Sequence, residues 1–179
     1  MMRYEQLHQA VHWKQPKAIL EIGTWNGARA RQLLHLSPKS KYYGFDLFED
    51  ATDQTDREEF NVKRHTALEE VQRLLADFDA TLFKGNTRDT LAAFNEPVDF
   101  VWIDGGHSIE TIRSDWEHVH RVATPDAWVF FDDYYTGIDT THIGCNRVVE
   151  TLRHEVLPGK DPVSGGGWVQ MVRVFRDDL

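Results

Sequence analysis

The sequence predicts an α/β protein in which helices cover both faces of a mainly parallel sheet. Short apolar runs alternate along the chain with segments whose apolar residues recur at helical spacing. The runs are almost continuously apolar, which is typical of strands that are buried on both faces and joined by helical crossovers. No internal repeat and no linker rich in Pro, Gly and Ser interrupts the alternation, so we expect one domain over residues 1–179.

The first half of the chain begins this alternation. We predict a helix at 1–15, a strand at 18–23, a helix at 28–36, a strand at 41–46, a helix at 66–76 and a strand at 80–85. Residues 47–65 are polar and acidic without a clear period, which makes them a long connection for a compact domain. We therefore expect a lid over a binding site there, whereas the N-terminal helix could cover the same site or simply pack.

The second half of the chain continues the pattern and then changes it. We predict a helix at 88–94, a strand at 98–104, a helix at 109–122, a strand at 127–133, a helix at 145–154, a short strand at 155–158 and a last strand at 168–175. Residues 158–167 lie between the last two strands and look loosely structured. Because these strands are close in sequence, they favour an antiparallel hairpin at the edge of the sheet.

Composition narrows the classes of function. The chain has 29 acidic and 20 basic residues and a net charge of −9, which disfavours a protein that grips nucleic acid through a basic face. The lone Cys145 cannot form an internal disulfide, and the first 17 residues hold no apolar run long enough for a signal peptide or a membrane span. We expect a cytoplasmic protein without a nucleic-acid or membrane partner.

A glycine-bearing turn follows the first strand, where ligands of open parallel sheets bind. The turn has the spacing E-x-G-x-x-x-G, with Glu21 before Gly23 and Gly27. A dinucleotide turn has the spacing G-x-G-x-x-G, because pyrophosphate must approach the helix closely, and Trp25 is too bulky for that role. The turn therefore argues against NAD, although a turn that serves packing alone remains an alternative.

Polar residues end the next two strands as well. Asp46 closes the second strand, where a carboxylate can accept hydrogen bonds from both hydroxyls of a ribose. Asn86 and Thr87 follow the third strand, where an amide and a hydroxyl could meet an adenine edge. Ordinary loop capping is the alternative for all three residues.

An acidic corner is predicted at the ends of the fourth and fifth strands. Asp104, Asp132 and Asp133 should converge there, and a cluster of carboxylates repels itself unless a cation compensates it. Oxygen ligands suit Mg²⁺ or Mn²⁺, although Asp132 and Asp133 could instead cap a loop. His107 follows Asp104 by three residues and could accept a proton from a hydroxyl near neutral pH.

These corners together resemble those of the class I S-adenosylmethionine-dependent methyltransferases, over about residues 16–176. The glycine motif of that class is similar to EIGTWNG at 21–27, and its ribose-binding acid is similar to Asp46. The resemblance implies a Rossmann-like three-layer sandwich with a mostly parallel seven-stranded sheet and an antiparallel last strand. It also implies that S-adenosylmethionine is held by Glu21, Gly23, Thr24, Gly27, Asp46, Leu47, Asn86, Thr87 and Asp104.

Within that class, the acidic corner resembles the metal-dependent O-methyltransferases of the macrocin and mycinamicin type. In these enzymes Asp-x-x-His follows the fourth strand and an acidic pair follows the fifth. The resemblance implies Mg²⁺ on Asp104, Asp132 and Asp133, His107 as general base, a catalytic role for Asp104, and a small-molecule hydroxyl as acceptor. Catechol-type enzymes carry lysine at the position of His107 and asparagine at that of Asp133, so sugar or polyketide hydroxyls are favoured.

Two other functions stay open from the sequence. The first is a non-catalytic domain that binds S-adenosylmethionine or a metal, and the complete set of acidic-corner residues argues against it. The second is an NAD-linked oxidoreductase, which the missing G-x-G-x-x-G motif disfavours. Within the methyltransferase class, transfer to nitrogen or carbon in place of oxygen is left open, as are the identity of the acceptor and a homo-oligomeric state.

Overall fold

The computed structural model describes residues 2–61 and 64–175. Its helices are α1 (Arg3–Lys14), α2 (Ala28–Leu36), α3 (Asp53–Glu58), α4 (Leu68–Leu74), α5 (Thr87–Ala93), α6 (Ile109–Val122) and α7 (Asn146–Val149), with a 3₁₀ helix at Phe48–Asp50. Its strands are β1 (Ala18–Ile22), β2 (Lys41–Asp46), β3 (Ala80–Lys84), β4 (Val98–Ile103), β5 (Ala123–Thr136), β6 (His154–Pro162) and β7 (Trp168–Val174).

The seven strands form one sheet in the order β3-β2-β1-β4-β5-β7-β6. Strands β1 to β5 are parallel, β7 runs antiparallel to β5, and β6 runs antiparallel to β7. The predicted fold class and the antiparallel hairpin at the sheet edge are confirmed. The strand order changes direction between β1 and β4, and such a reversal opens a crevice for ligands at the carboxyl ends of parallel strands.

Two apolar cores lie on the two faces of the sheet, as the continuous apolar strands predict. Successive side chains of a strand alternate between faces, so Val101 and Ile103 of β4 join one core while Phe100 and Trp102 join the other. Helices α5, α6 and α7 contribute to the first core, and α1, α2 and α4 contribute to the second. Full burial of each such side chain contributes about 1.5–3 kcal/mol.

The structure corrects three predicted elements. The helix predicted at 145–154 is only α7 (Asn146–Val149), because β6 already starts at His154. Residues 158–162 belong to β6 rather than to a loose turn, since backbone pairing with β7 resumes at Lys160 after an irregularity that follows Val156. The segment 47–65 holds the 3₁₀ helix and α3, and residues 62 and 63 of that prediction lie outside the described part.

The N-terminal helix α1 packs into one of the two cores. Leu7 and Val11 are fully buried in the core that α2 also contributes to. Among the described residues, no helix has both the length and the apolar character needed to cross a membrane.

Candidate active site

A cavity opens at the carboxyl ends of β1 to β4. Most of the predicted site residues follow these same strand ends. Residues of the segment that contains α3 form another part of its wall, including Thr55, Asp56 and Glu59. The predicted site residues that line the cavity are Gly23, Asp46, Leu47, Asn86, Thr87, Asp104 and His107. The reversal of strand order therefore places residues of the predicted cofactor site, such as Asp46, in the same cavity as His107, the predicted base.

The glycines of the turn after β1 are required by backbone geometry and by close neighbours. Gly23 has φ +89° and donates its N–H to the carbonyl of Phe45 at 2.8 Å. A β-carbon on Gly23 would collide with the carbonyl oxygen of Asp104. Gly27 has φ +72°, and a β-carbon there would lie 2.7 Å from Val71 Cγ1. The turn is thus pressed against both β4 and α4, which only glycine permits.

Asp46 ties the glycine turn to the loop after β2. Its Oδ2 accepts the backbone N–H of Trp25 at 2.7 Å, and its Oδ1 accepts that of Phe48 at 2.7 Å. A carboxylate offers about four acceptor sites, so each oxygen can still accept a hydrogen bond from a ligand hydroxyl. Asp46 is therefore held rigidly at the cavity wall.

Asn86 and Thr87 begin α5 at a third side of the cavity. The side chain of Asn86 caps the helix by accepting the backbone N–H of Arg88 at 2.9 Å. The predicted loop-capping alternative is therefore realised for Asn86, and its amide N–H groups remain as donors.

Glu21 and Thr24 lie behind the turn rather than on the cavity wall. Glu21 is 1% exposed and accepts a hydrogen bond from the hydroxyl of Tyr42, which also lies 3.2 Å from Thr24 Oγ1. Burial raises the pKa of Glu21 to about 8. Glu21 is consequently mostly protonated at neutral pH and contributes little negative charge behind the turn.

The acidic corner forms where β4 ends, but β5 continues to Thr136, so Asp132 and Asp133 lie within that strand and not at its predicted end at 133. His107 Nε2 lies 3.3 Å from Asp133 Oδ2, and the hydroxyl of Tyr135 donates to the other oxygen of Asp133 at 2.9 Å. Asp133 has φ +61° and lies in an irregularity of β5, which turns its side chain toward the end of β4. Ligand atoms of Asp104, His107 and Asp133 all lie within 4.8 Å of one another.

Asp132 faces a different set of neighbours from Asp133. It lies two residues after Phe130, which faces the core that α1 contributes to. Arg3 Nη1 lies 2.9 Å from Asp132 Oδ1, and the hydroxyl of Tyr4 donates to Asp132 Oδ2 at 3.2 Å. Burial and the neighbouring Asp133 raise the pKa of Asp132 to about 6, and Arg3 and a side-chain hydrogen bond with Asp104 oppose the rise.

The segment around α3 is fastened to the turn that carries His107. Glu59 accepts the backbone N–H of Ser108 at 3.1 Å and the hydroxyl of Thr111 at 2.6 Å. A second connection runs from Trp25 Nε1 to the carbonyl of Arg64 at 2.6 Å. The segment predicted as a lid is therefore hydrogen-bonded to both the glycine turn and the start of α6.

Comparison with known proteins decides the family. A family described as a methyltransferase domain matches residues 20–134, which is more than half of the chain. The chain belongs to this methyltransferase family. No curated protein matches the sequence.

Solved structures share the fold of this methyltransferase domain at low sequence identity. One is the O-methyltransferase TomG of Streptomyces achromogenes, which is involved in tomaymycin synthesis and was solved in complex with SAM. It is 18% identical to this chain with a TM-score of 0.65, and the match covers 96% of this chain and 78% of the TomG chain. An O-methyltransferase of Bacillus cereus in complex with SAH is 19% identical with a TM-score of 0.63, covering 95% and 79%. Cofactor-bound Rv0187 from MTB is 16% identical with a TM-score of 0.69, covering 96% and 78%.

Sequence reasoning about this methyltransferase domain missed the contacts that α1 and the α3 segment make. Arg3 and Tyr4 bind Asp132, and Glu59 holds the start of α6. Charged residues in an N-terminal helix and in an acidic loop carry no local signal of such contacts. The alternation along β5 was the one available signal, because it directs Phe130 and Asp132 to the same face.

Proposed function

We propose that the chain, acting as one domain over residues 1–179, transfers a methyl group from S-adenosylmethionine to a hydroxyl of a small molecule. The observation that carries this proposal is the shared cavity, which Asp46 lines at one end and His107 at another. The chain's membership of a methyltransferase family supports methyl transfer. The structural neighbours that are O-methyltransferases in complex with SAM or SAH support both the cofactor and a hydroxyl acceptor.

In this proposal the cofactor lies across the ends of β1, β2 and β3. Asp46 accepts the ribose hydroxyls with the acceptor capacity that its two backbone contacts leave free. The adenine lies near Asn86 and Thr87, where the amide of Asn86 can donate. Asp46 and Asp104 supply the negative field that suits a sulfonium and an ammonium group, whereas the same field would repel a pyrophosphate.

His107 is the proposed base for the acceptor hydroxyl. Asp133 lies against the imidazole at Nε2 and orients the ring. The hydroxyl oxygen forms a bond to the methyl carbon as the carbon–sulfur bond breaks, and the hydroxyl proton passes to His107. Tyr135 fixes Asp133 in turn by donating to its other oxygen.

The donor set of the acidic corner fits a divalent cation. Asp104 and Asp133 offer carboxylate oxygens within 4.8 Å of each other, and oxygen ligands are those that Mg²⁺ prefers. A bound Mg²⁺ would lower the pKa of a coordinated hydroxyl, as metals do for coordinated water. We assign the cation to Asp104 and Asp133, and keep His107 for the proton.

A methyl-transfer assay tests the proposal. The protein is incubated with S-adenosylmethionine labelled in its methyl group and with a panel of catechols, sugars and polyketide alcohols, and labelled product and S-adenosylhomocysteine are measured. Labelled ether product with at least one hydroxyl compound is the expected result. Tight binding of S-adenosylhomocysteine without transfer to any acceptor would favour the non-catalytic binding domain instead.

A further inference from the structure

The first residue of α1 forms a buried ion pair with the acidic corner. Arg3 Nη1 lies 2.9 Å from Asp132 Oδ1, and the two side chains are 12% and 1% exposed. Arg3 Nε also lies 3.4 Å from Asp161, whose side chain is 38% exposed. Burial alone would lower the pKa of Arg3, but the charges of Asp132, Asp104 and Asp133 outweigh it and raise that pKa, so the guanidinium lies in the field of the whole cluster.

Tyr4 completes the hold on Asp132. Its hydroxyl donates to Asp132 Oδ2 at 3.2 Å and accepts a hydrogen bond from Arg3 Nη2 at 2.7 Å. The guanidinium of Arg29 lies 3.7 Å from the centre of the Tyr4 ring, a cation–π contact that helps to fix the ring. Both carboxylate oxygens of Asp132 are therefore in contact with α1.

The helix that carries these two residues is itself anchored. Gln6 accepts the backbone N–H of Gly159 in β6 at 2.6 Å, and Leu7 is fully buried. Arg3 thus reaches Asp132 from a fixed support. Freeing Asp132 for another ligand would leave the guanidinium with less compensation in a poorly solvated place, which is costly.

We propose that Arg3 is the built-in counter-ion of Asp132 and withholds this carboxylate from any divalent cation, leaving Asp104 and Asp133 to bind it. This inference rests on the cation site of the proposed function. It means that α1 sets the affinity of the acidic corner for a metal. Arg3 is a positioning residue, because it acts on the corner through Asp132.

The inference predicts a specific pattern of affinities for Mn²⁺ alone. Arg3→Met removes a positive charge and frees Asp132, so the affinity should rise about tenfold or more. The double variant Arg3→Met with Asp132→Asn removes both charges of the pair together. Since Asp132 is not a ligand in this account, the double variant should bind Mn²⁺ within about threefold of the wild type.

Two further variants separate charge from structure. Arg3→Lys keeps the positive charge and should leave the affinity for Mn²⁺ near that of the wild type, unlike Arg3→Met. Asp161→Asn removes the more exposed partner of Arg3 and should change the affinity for Mn²⁺ little. Thermal melts on every sample establish that the variants are folded.

The experiment is the titration of Mn²⁺ into the full-length protein, followed by electron paramagnetic resonance of the free ion, without S-adenosylmethionine or acceptor. Tighter binding by Arg3→Met, with recovery of near-wild-type affinity in the double variant, is the expected result. Unchanged or absent binding in Arg3→Met, or a double variant that binds at least tenfold more weakly than the wild type, would overturn the inference. Binding of S-adenosylhomocysteine, measured on the same samples, reports on the proposed function separately.

Discussion

His107 Nε2 lies 3.3 Å from Asp133 Oδ2, so a residue after β4 and a residue within β5 meet beside the cavity. Asp133 can occupy this position because β5 is irregular there and the residue adopts φ +61°. The strained backbone places the carboxylate against the imidazole. Strain of this kind is found preferentially at functional sites.

Replacement of His107, the proposed base, should reduce turnover without weakening cofactor binding. His107→Gln removes the proton acceptor but keeps a polar side chain, so turnover should fall by about 10²- to 10⁴-fold while the affinity for S-adenosylhomocysteine changes little. The exposed His120 of α6 offers a control, and His120→Gln should retain full activity. Steady-state kinetics and calorimetry measure the two effects. Full turnover by His107→Gln would remove this residue from the mechanism.

Loss of the Asp46 charge should act on the cofactor. Asp46→Asn cannot accept both backbone N–H groups and two ribose hydroxyls, so the affinity for S-adenosylhomocysteine should fall about 10- to 100-fold. Asp50→Asn removes an exposed carboxylate of the same loop and serves as the control. Calorimetric titration of each variant gives the affinities. Equal affinity of Asp46→Asn and the wild type would refute the ribose assignment.

The glycine turn offers a test that separates backbone strain from collision. Gly23 and Gly166 have similar positive φ angles of +89° and +85°, but a β-carbon on Gly23 meets the backbone of Asp104 while one on Gly166 meets nothing within 4 Å. Gly166→Ala should cost about 1–2 kcal/mol through strain alone. Gly23→Ala should cost clearly more, because the chain near Asp104 must move. Urea unfolding measures both values, and similar losses would contradict the packing described for the turn.

The buried Glu21 predicts a pH dependence of stability. Its pKa rises from 4.5 to about 8 on folding, mainly through burial, so the native state holds a proton that the unfolded chain releases between these values. The carboxyl therefore costs stability progressively as pH rises from about 4.5 to 8. Glu21→Gln removes this titration and keeps a hydrogen-bonding group for Tyr42. As the pH rises from about 4.5 to 8, the free energy of unfolding of the wild type should therefore fall by a few kcal/mol relative to that of Glu21→Gln. Urea melts at pH 5, 7 and 9 test this, and a constant difference between the proteins would contradict it.

Local patterns predicted most of the fold because each element carries its own signal. The helices Ala28–Leu36 and Ile109–Val122 were predicted with their observed bounds, since an apolar stripe and flanking residues such as the capping Ser108 mark where they start and stop. The bounds of β6 could not be predicted in this way. Gly159 and Pro162 are poor strand formers. Gly159 lies in the irregularity of β6, and pairing of residues 160–162 with β7 keeps the end of the strand in the sheet.

The sequence also predicted seven of the residues that line the cavity, because the carboxyl ends of parallel strands lie at one edge of the sheet. It could not predict that the two adjacent carboxylates of the acidic corner contact different partners. Asp132 and Asp133 are neighbours in sequence, yet one meets Arg3 of α1 and the other meets His107. That division depends on the irregular backbone of β5 and on the docking of α1, and both are properties of the packed protein.

Calorimetric titration of S-adenosylhomocysteine into the metal-free protein, repeated with Mg²⁺ and with an excess of NAD, tests the central claim most directly. The account predicts one binding site per chain in all three conditions, with no competition from NAD and a large loss of affinity in Asp46→Asn. No binding with or without Mg²⁺ would contradict the assignment of the cavity to S-adenosylmethionine.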